Sequence, residues 1–281
     1  MLKKIFFLVA FPLVFTAQLS TVVENWKADK DLKNAAIGYC VLDAKSSEVI
    51  SEYNSHQFLI PASTLKVITT AAALGILGSS YRFETALCYT GTFDKATGII
   101  NGDLVIYGHG DPTLQSENFF KDTVQITDRW ANVLKAKGVK EIKGKIIGDA
   151  SYFDRTIPGN WIWADINNYF GVAPCALSYN DNKFKVVYCS KDAGCKAEVL
   201  KTMPSYLSNT IIINSSVVAK GTEDEAYVFG DPFSYTKDVS GRIPPNKANF
   251  EIEAALPDPA LLCAEMLYTS LLKIGVKCKP G

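Results

Sequence analysis

The stretch "LIPASTLKVITTAAAL", from Leu59 to Leu74, places Ser63 and Lys66 among residues that are otherwise apolar or small. Its alanines and leucines favour a helix, Pro61 suits a helix start, and Gly78 can end it. Residues three positions apart share one face of a helix, so the hydroxyl and the amine would lie within hydrogen-bond reach. The stretch therefore predicts a helix that carries a Ser–Lys pair near its N-terminus.

A Ser–Lys pair of this kind can perform nucleophilic chemistry. A serine hydroxyl is a weak nucleophile until a base removes its proton. A lysine can act as that base if burial and nearby positive charge lower its pKa. The apolar neighbours of Lys66 predict such burial, and the N–H groups of the first helical turn would favour negative charge near Ser63. Ser63 is therefore the candidate nucleophile and Lys66 the candidate base.

The Ser-x-x-Lys pattern is weak alone, because the chain contains it three times. Ser234–Lys237 lies in a loop-like stretch with prolines nearby. Ser270–Lys273 lies late in an amphipathic helix, where a lysine is typical of a solvated helix end. Only the first stretch combines a helix start with apolar residues on every side of the lysine.

Composition limits the classes of function. The 281 residues suffice for one large domain or two modest ones, and 48% hydrophobic with 21% charged residues is typical of a globular chain. The formal net charge is zero, so no basic surplus indicates a nucleic-acid partner. The chain has no C-x-x-C pair, and His56 and His109 are far apart in sequence. We therefore expect no metal and no other cofactor.

The N-terminus resembles a secretory signal peptide over residues 1–17. Lys3 and Lys4 precede the apolar run Ile5–Phe15, and small or polar residues follow. This run is shorter than the roughly 20 apolar residues that span a bilayer. We expect cleavage near Ala17, no transmembrane segment afterwards, and a periplasmic or extracellular location. An uncleaved anchor is the alternative, because Phe15 is a poor residue two positions before the cleavage site.

Export would place the seven cysteines in a compartment that permits disulfides. An odd number leaves at least one cysteine unpaired within the chain. Cys189 and Cys195 flank the turn-like sequence "SKDAG" and predict a small local bridge.

The remaining chain alternates between short strands and a few helices. "AAIGYCVLDA" and "EVISEYN" flank residues 45–47 and predict a hairpin. From about Tyr81 short alternating runs predict strands, with one helix over residues 124–139 among them. "DPALLCAEMLYTSLLKIGV" then predicts a returning helix. We expect residues 21–81 and 249–281 to form one domain, and residues 82–248 to form a β-rich insertion.

Several stretches together resemble a known family. "PASTLKVITTAAALGILGSSYRFET" resembles the active-site segment of the penicillin-binding D-alanyl-D-alanine carboxypeptidases and endopeptidases of peptidase family S13, the low-molecular-mass class C penicillin-binding proteins. These have a large insertion after the active-site helix. The further similar stretches, in the order of that family, are "INGDLVIYGHGDPTL", "IKGKIIGDASYFD", "YFGVAPCALSYNDN", "GRIPPN" and "LPDPALLCAEMLYTSLLKIGV". The resemblance implies an α/β fold: a serine β-lactamase/DD-transpeptidase-like domain, incomplete here, interrupted by a large β-rich insertion.

The resemblance also implies a reaction. Ser63 would attack the carbonyl between two D-alanines of a peptidoglycan stem peptide, and Lys66 would accept its proton, although the acylating base in related enzymes is disputed. Backbone N–H groups, one of them from Ser63, would stabilise the oxyanion. Water would then release the acyl group, and β-lactams would acylate the same serine.

Two elements of the family pattern are not matched. Ser116–Asn118 and Ser178–Asn180 fit Ser-x-Asn by letters, but the family's catalytic element follows the last predicted helix. Lys201-Thr202-Met203 and Lys220-Gly221-Thr222 do not form the Lys-Thr-Gly element. We therefore expect the chain to be the N-terminal part of a longer enzyme. The alternatives are a non-catalytic peptidoglycan-binding or scaffolding protein of the same fold, a truncated inactive fragment, and a serine esterase or β-lactamase-like hydrolase.

Overall fold

The computed structural model describes residues 21–119 and 124–279, so the predicted signal peptide at residues 1–17 lies outside the described residues. The chain divides into two compact units, and the division falls between Tyr81 and Arg82. No helix within the described ranges is long and apolar enough to cross a membrane.

The first unit contains the predicted hairpin. Residues 21–28 form helix α1. Strands β1 (Tyr39–Leu42) and β2 (Val49–Tyr53) then pair in antiparallel fashion. The connecting turn is held by the Asp43 carboxylate, which accepts hydrogen bonds from the N–H groups of Lys45 and Ser46 at 2.9 and 2.8 Å. A side chain that mimics a backbone turn in this way explains why the chain reverses here.

The predicted helix with the Ser–Lys pair is also present in this unit. A 3₁₀ turn at Ala62–Thr64 leads into helix α2 (Leu65–Leu77). Gly78 ends α2 with φ of 80°, a conformation that glycine adopts without steric cost, and its N–H donates to the Leu74 carbonyl at 2.9 Å. The helix prediction is therefore confirmed, although the helical turns begin three residues later than Leu59.

The second unit begins with two small sheets and a helix. The elements are β3 (Thr85–Tyr89), β4 (Thr92–Asp94), β5 (Ile99–Asn101), β6 (Leu104–Gly108), α3 (Ile126–Ala136), β7 (Glu141–Ile142) and β8 (Ile146–Asp149). In the first sheet, β6 lies between β3, to which it is antiparallel, and β8, to which it is parallel. In the second sheet, β5 lies between β4 and β7.

Two further sheets follow in the same unit. The strands are β9 (Lys183–Ser190), β10 (Glu198–Met203), β11 (Ile212–Ser215), β12 (Val218–Ala219), β13 (Glu225–Phe229), β14 (Thr236–Ile243) and β15 (Lys247–Ala255). One sheet is antiparallel, in the order β10-β9-β15, and in the other β14 pairs with β11, β12 and β13. The predicted abundance of strands in residues 82–248 agrees with these elements.

The returning helix α4 (Pro259–Lys273) packs inside the second unit. Its Asp258 N-cap accepts a hydrogen bond from the Leu261 N–H at 2.9 Å, and its buried face lies against α3 and β8. The grouping of residues 249–281 with residues 21–81 in one domain stays a prediction. Residues 249–281 lie in the same compact unit as residues 82–248. The reason is that β15 pairs with β9, and that the apolar face of α4 finds its complement on α3 and β8.

The predicted Cys189–Cys195 bridge is not formed, because both cysteines are free thiols in the structure. The strand register explains this, because the residue opposite Cys189 of β9 is Glu198 of β10. Cys195 precedes β10.

Candidate active site

The structure brings the predicted Ser–Lys pair into contact. The Lys66 ammonium nitrogen Nζ donates a hydrogen bond to Ser63 Oγ at 2.8 Å. The contact follows from the helical spacing of three residues, because Ser63 lies in the 3₁₀ turn and Lys66 in the first turn of α2. The arrangement can pass a proton between the hydroxyl and the amine.

Local hydrogen bonds fix the backbone around this pair. The Thr64 hydroxyl donates to the Pro61 carbonyl, and the Thr70 hydroxyl donates to the Lys66 carbonyl at 2.6 Å. The backbone N–H groups at a helix start have no intrahelical acceptor. The N–H of Ser63 is therefore placed where it could stabilise an oxyanion that forms on the reacting carbonyl.

The predicted burial of Lys66 is wrong for the described residues. Lys66 is exposed, and none of the residues of α2 is buried. Apolar side chains of this helix also lie in solvent, with Ile68 66% and Ile76 83% exposed. An apolar composition predicts that a helix will be covered, but it does not supply the covering residues. Among the described residues, none buries Lys66 as the role of a base requires.

The other two Ser-x-x-Lys matches are structural. Lys237 is fully buried, and its ammonium donates to Asn167 Oδ1 at 2.5 Å and to the Asp231 carbonyl at 2.8 Å. Ser270 is buried and donates to the Thr127 hydroxyl at 3.0 Å, while the solvated Lys273 lies 3.8 Å from Asp128.

The letter matches to the missing elements are structural as well. Ser178 is buried, and its hydroxyl donates to the Cys175 carbonyl at 2.9 Å, while the Asn180 amide donates to the Lys183 carbonyl at the same distance. Ser116 is also buried and accepts a hydrogen bond from the Asn118 N–H. Thr202 belongs to strand β10, where it bonds Ser208. These contacts hold turns and strands of the second unit.

Sequence reasoning missed the unusual environment of Lys237. Burial lowers the pKa of its ammonium to about 8, an effect that nearby Asp231 opposes and Arg155 reinforces. The sequence predicts a loop at this residue, whereas the structure places it in β14. No pattern of letters marks it, because its hydrogen-bond acceptors are mostly backbone carbonyls.

Comparison with known proteins identifies the family. The model of the D-Ala-D-Ala carboxypeptidase 3 (S13) family matches residues 19–281. The chain belongs to this family. The resemblance drawn from the sequence is thereby confirmed.

Individual relatives of this S13 chain agree with the family match. It is 26% identical over 248 residues to the D-alanyl-D-alanine carboxypeptidase DacB of Haemophilus influenzae, covering 86% of this chain and 48% of the relative. It is 25% identical over 261 residues to the D-alanyl-D-alanine carboxypeptidase of Actinomadura sp. strain R39, covering 89% and 46%. The chain thus spans about half the length of the curated relatives that it matches.

Solved structures share the fold of this S13 chain. The crystal structure of penicillin binding protein 4 from Haemophilus influenzae superposes with a TM-score of 0.66 at 25% identity, covering 86% of this chain and 52% of that one. The same protein complexed with a novel β-lactam gives a TM-score of 0.59 at 22% identity, covering 86% and 50%. This likeness confirms the predicted α/β fold class.

Proposed function

We propose that the protein is an exported serine-type D-Ala-D-Ala carboxypeptidase that acts on peptidoglycan stem peptides through an acyl-serine intermediate. The observation that carries the proposal is the 2.8 Å hydrogen bond between Lys66 Nζ and Ser63 Oγ in a chain of the S13 family. Further support comes from the named activity of the relatives that match most of this chain. The roles of Ser63 and Lys66 are part of the proposal.

The proposed reaction has two steps. Ser63 Oγ forms a bond to the carbonyl carbon of the penultimate D-alanine, and its proton passes to Lys66. The C–N bond to the last residue breaks, and the leaving amine takes the proton back from Lys66. Water then cleaves the ester, restoring the Ser63 hydroxyl and releasing a shortened peptide. With a cross-linked peptide as substrate, the same chemistry gives an endopeptidase.

β-Lactams are proposed as covalent inhibitors at the same serine. A solved relative is described as a penicillin binding protein in complex with a β-lactam. In the proposed reaction Ser63 Oγ forms a bond to the lactam carbonyl carbon and the lactam C–N bond breaks. The nitrogen takes up the serine proton by way of Lys66 and stays attached to the acyl group. The proposed substrate lies outside the cytoplasm, which agrees with the signal-peptide pattern of residues 1–17.

Labelling with a fluorescent penicillin tests the proposal on the product of the complete open reading frame that contains residues 1–281. We expect Ser63→Ala to abolish the label. We expect Lys66→Met to lower the acylation rate by about 10²–10⁴-fold, the usual contribution of a general base. Lys273→Met is the matched control, because Lys273 ends another Ser-x-x-Lys match but is solvated. We expect this variant to label at the parent rate.

Equal labelling of the parent and Ser63→Ala would sink the proposal. A Lys66→Met protein that acylates at the parent rate would remove Lys66 from the mechanism. Rapid turnover of penicillin without a lasting acyl-enzyme would instead favour a β-lactamase-like hydrolase. A folded parent that neither labels nor cleaves a D-Ala-D-Ala peptide would favour the non-catalytic peptidoglycan-binding alternative.

A further inference from the structure

The second unit contains a cleft that none of the proposed chemistry uses. It opens on one face of the β10-β9-β15 sheet, has a volume of about 210 Å³ and is open to solvent. Charged residues of the sheet line its floor. Its walls are formed by Gln115 and Glu117 from one loop, by residues 179–181 from another, and by Met203 and Met266. Five separate segments of the chain therefore converge here.

The floor of the cleft is a row of alternating charges. Lys183 on β9 lies 3.0 Å from Glu253 on β15, and Lys185 lies 3.1 Å from Glu251. Glu117 joins the two pairs from above, because its two carboxylate oxygens lie 3.5 Å from Lys183 and 3.7 Å from Lys185. The row is thus continuous over strands β9 and β15.

The members of this row support one another's charge. The hydrogen bond that Lys185 donates to Glu251 raises the pKa of Lys185. Burial alone would lower the pKa of Lys183, but its hydrogen bond to Glu253 and the nearby carboxylates outweigh burial and raise it. Partial burial likewise opposes ionisation of Glu117, yet the two lysines lower its pKa overall. All three groups are therefore charged at neutral pH.

A strained turn forms the rim above this row. Asn180, Asp181 and Asn182 have φ values of 56°, 53° and 52° in succession. Residues with side chains adopt this left-handed conformation singly as a rule, because each one costs energy. Buried Asn182 holds the turn, since it accepts a hydrogen bond from the Tyr179 N–H and donates to Ser178 Oγ, both at 3.0 Å. Strain of this kind concentrates at functional sites.

The balance of charge around the cleft selects the chemistry of a ligand. Two ammonium groups, from Lys183 and Lys185, face four carboxylates. These carboxylates belong to Glu117, Asp181, Glu251 and Glu253. Each carboxylate can accept several hydrogen bonds, so a pair with one lysine leaves capacity for a further donor. The excess of negative charge favours a cation, and the thioethers of Met203 and Met266 suit a methylene chain.

We propose that this cleft is a second binding site, which takes a primary ammonium group on a short peptide. The ammonium would lie between Asp181 and Glu253, and the aliphatic part of the ligand would pack on the two methionines. All of its residues belong to the unit of residues 82–281, whereas Ser63 belongs to the other unit.

The methionines supply a site-specific probe. The chain contains three methionines, and two of them, Met203 and Met266, line the cleft. The protein is labelled with ¹³C at the methionine methyl groups and titrated with N-acetyl-Gly-Lys-Gly-amide. We expect saturable shifts of both resonances, which Met203→Leu and Met266→Leu assign. The matched peptide with norleucine in place of lysine should cause much smaller shifts, because it keeps the chain and lacks the charge.

Variants separate the proposed contacts from general charge effects. Partly exposed ion pairs contribute about 0.2–1 kcal/mol, so Asp181→Asn and Glu253→Gln should each weaken binding by up to about fivefold. The double variant should weaken it by about tenfold. Asparagine tolerates the left-handed conformation, so the rim turn is kept in Asp181→Asn. Glu223→Gln, an exposed residue outside the cleft, should bind like the parent.

Ser63→Ala should also bind the peptide unchanged, so failure of the hydrolase proposal would leave this one standing. The proposal is overturned by the absence of saturable shifts at millimolar peptide, by equal shifts with the norleucine peptide, or by unchanged affinity in the double variant.

Discussion

At the scale of single residues, Lys237 is an ammonium group enclosed by the fold. It is fully buried and donates to Asn167 Oδ1 and to the carbonyls of Asp231 and Pro232. Burial of a charge opposes folding, and hydrogen bonds offset only part of that cost. This is why its pKa falls from 10.5 to about 8.

Lys237 should make stability depend on pH in alkaline solution. Because the folded pKa is lower than the unfolded one, the unfolded state holds more protons between about pH 8 and 10.5. The free energy of unfolding should therefore rise across this window, by about 3 kcal/mol in total, and be insensitive to Lys237 below pH 8. Urea unfolding of the parent and Lys237→Met at pH 7, 8 and 9.5 measures this contribution as a difference.

We expect Lys237→Met to be less stable at pH 7, because buried Asn167 Oδ1 and the carbonyls of Asp231 and Pro232 lose their donor. Its deficit should then grow with pH, since the variant lacks the rise. Lys273→Met should keep the rise of the parent. A Lys237→Met protein whose unfolding free energy follows the parent's pH profile would show that Lys237 is not the titrating group.

At the scale of elements, the packing of α4 on β8 depends on a missing side chain. A Cβ atom on Gly148 would lie 2.2 Å from the Ala260 carbonyl oxygen, far inside van der Waals contact. Gly148→Ala should therefore separate the helix from the strand and destabilise the second unit by about 1–3 kcal/mol or more. Gly159→Ala is the control, because a Cβ there meets nothing within 4 Å. Equal urea midpoints for the two variants would contradict this close approach.

Local signals in the sequence predicted most of the helices and strands. The hairpin at β1 and β2 was predicted from the two strand-like stretches that flank residues 45–47, and α4 was predicted from the stretch "DPALLCAEMLYTSLLKIGV". The left-handed turn at residues 180–182 was missed, although asparagine and aspartate are the residues that tolerate it. Three such residues in a row depend on the buried contacts of Asn182, which no local pattern reveals.

At the scale of the whole molecule, the second unit has the features of an independent folding unit. Its hydrophobic core runs continuously through buried residues from Ile100 to Val276. We expect residues 82–281 expressed alone to unfold in one cooperative urea transition, with the midpoint of the main transition of the 281-residue chain. A noncooperative transition, or a midpoint well below that one, would count against independence.

The sequence predicted only those contacts of the candidate site that lie within one helical segment. The Ser63–Lys66 contact follows from helical spacing and was predicted from that spacing. The burial of Lys66 was not predictable, because it depends on which segments cover α2. The packing partners of α4 were not predictable either, because an amphipathic pattern indicates that one face is buried but not which elements cover it. The charged cleft was missed because its residues come from five distant segments.

The second unit is closed by a contact between segments that are far apart in sequence. The Ile142 N–H donates to the Lys277 carbonyl at 2.8 Å, and the Lys277 N–H donates to the Lys140 carbonyl at 2.9 Å. A bridge between segments so far apart in sequence is slow to form, because a long loop must close first. In the growing chain, the apolar faces of α3 and β8 therefore stay uncovered until α4 has been made, which exposes the nascent chain to aggregation. Pulse-labelling hydrogen exchange during refolding should find the Ile142 amide among the last to be protected, and early protection would contradict this order.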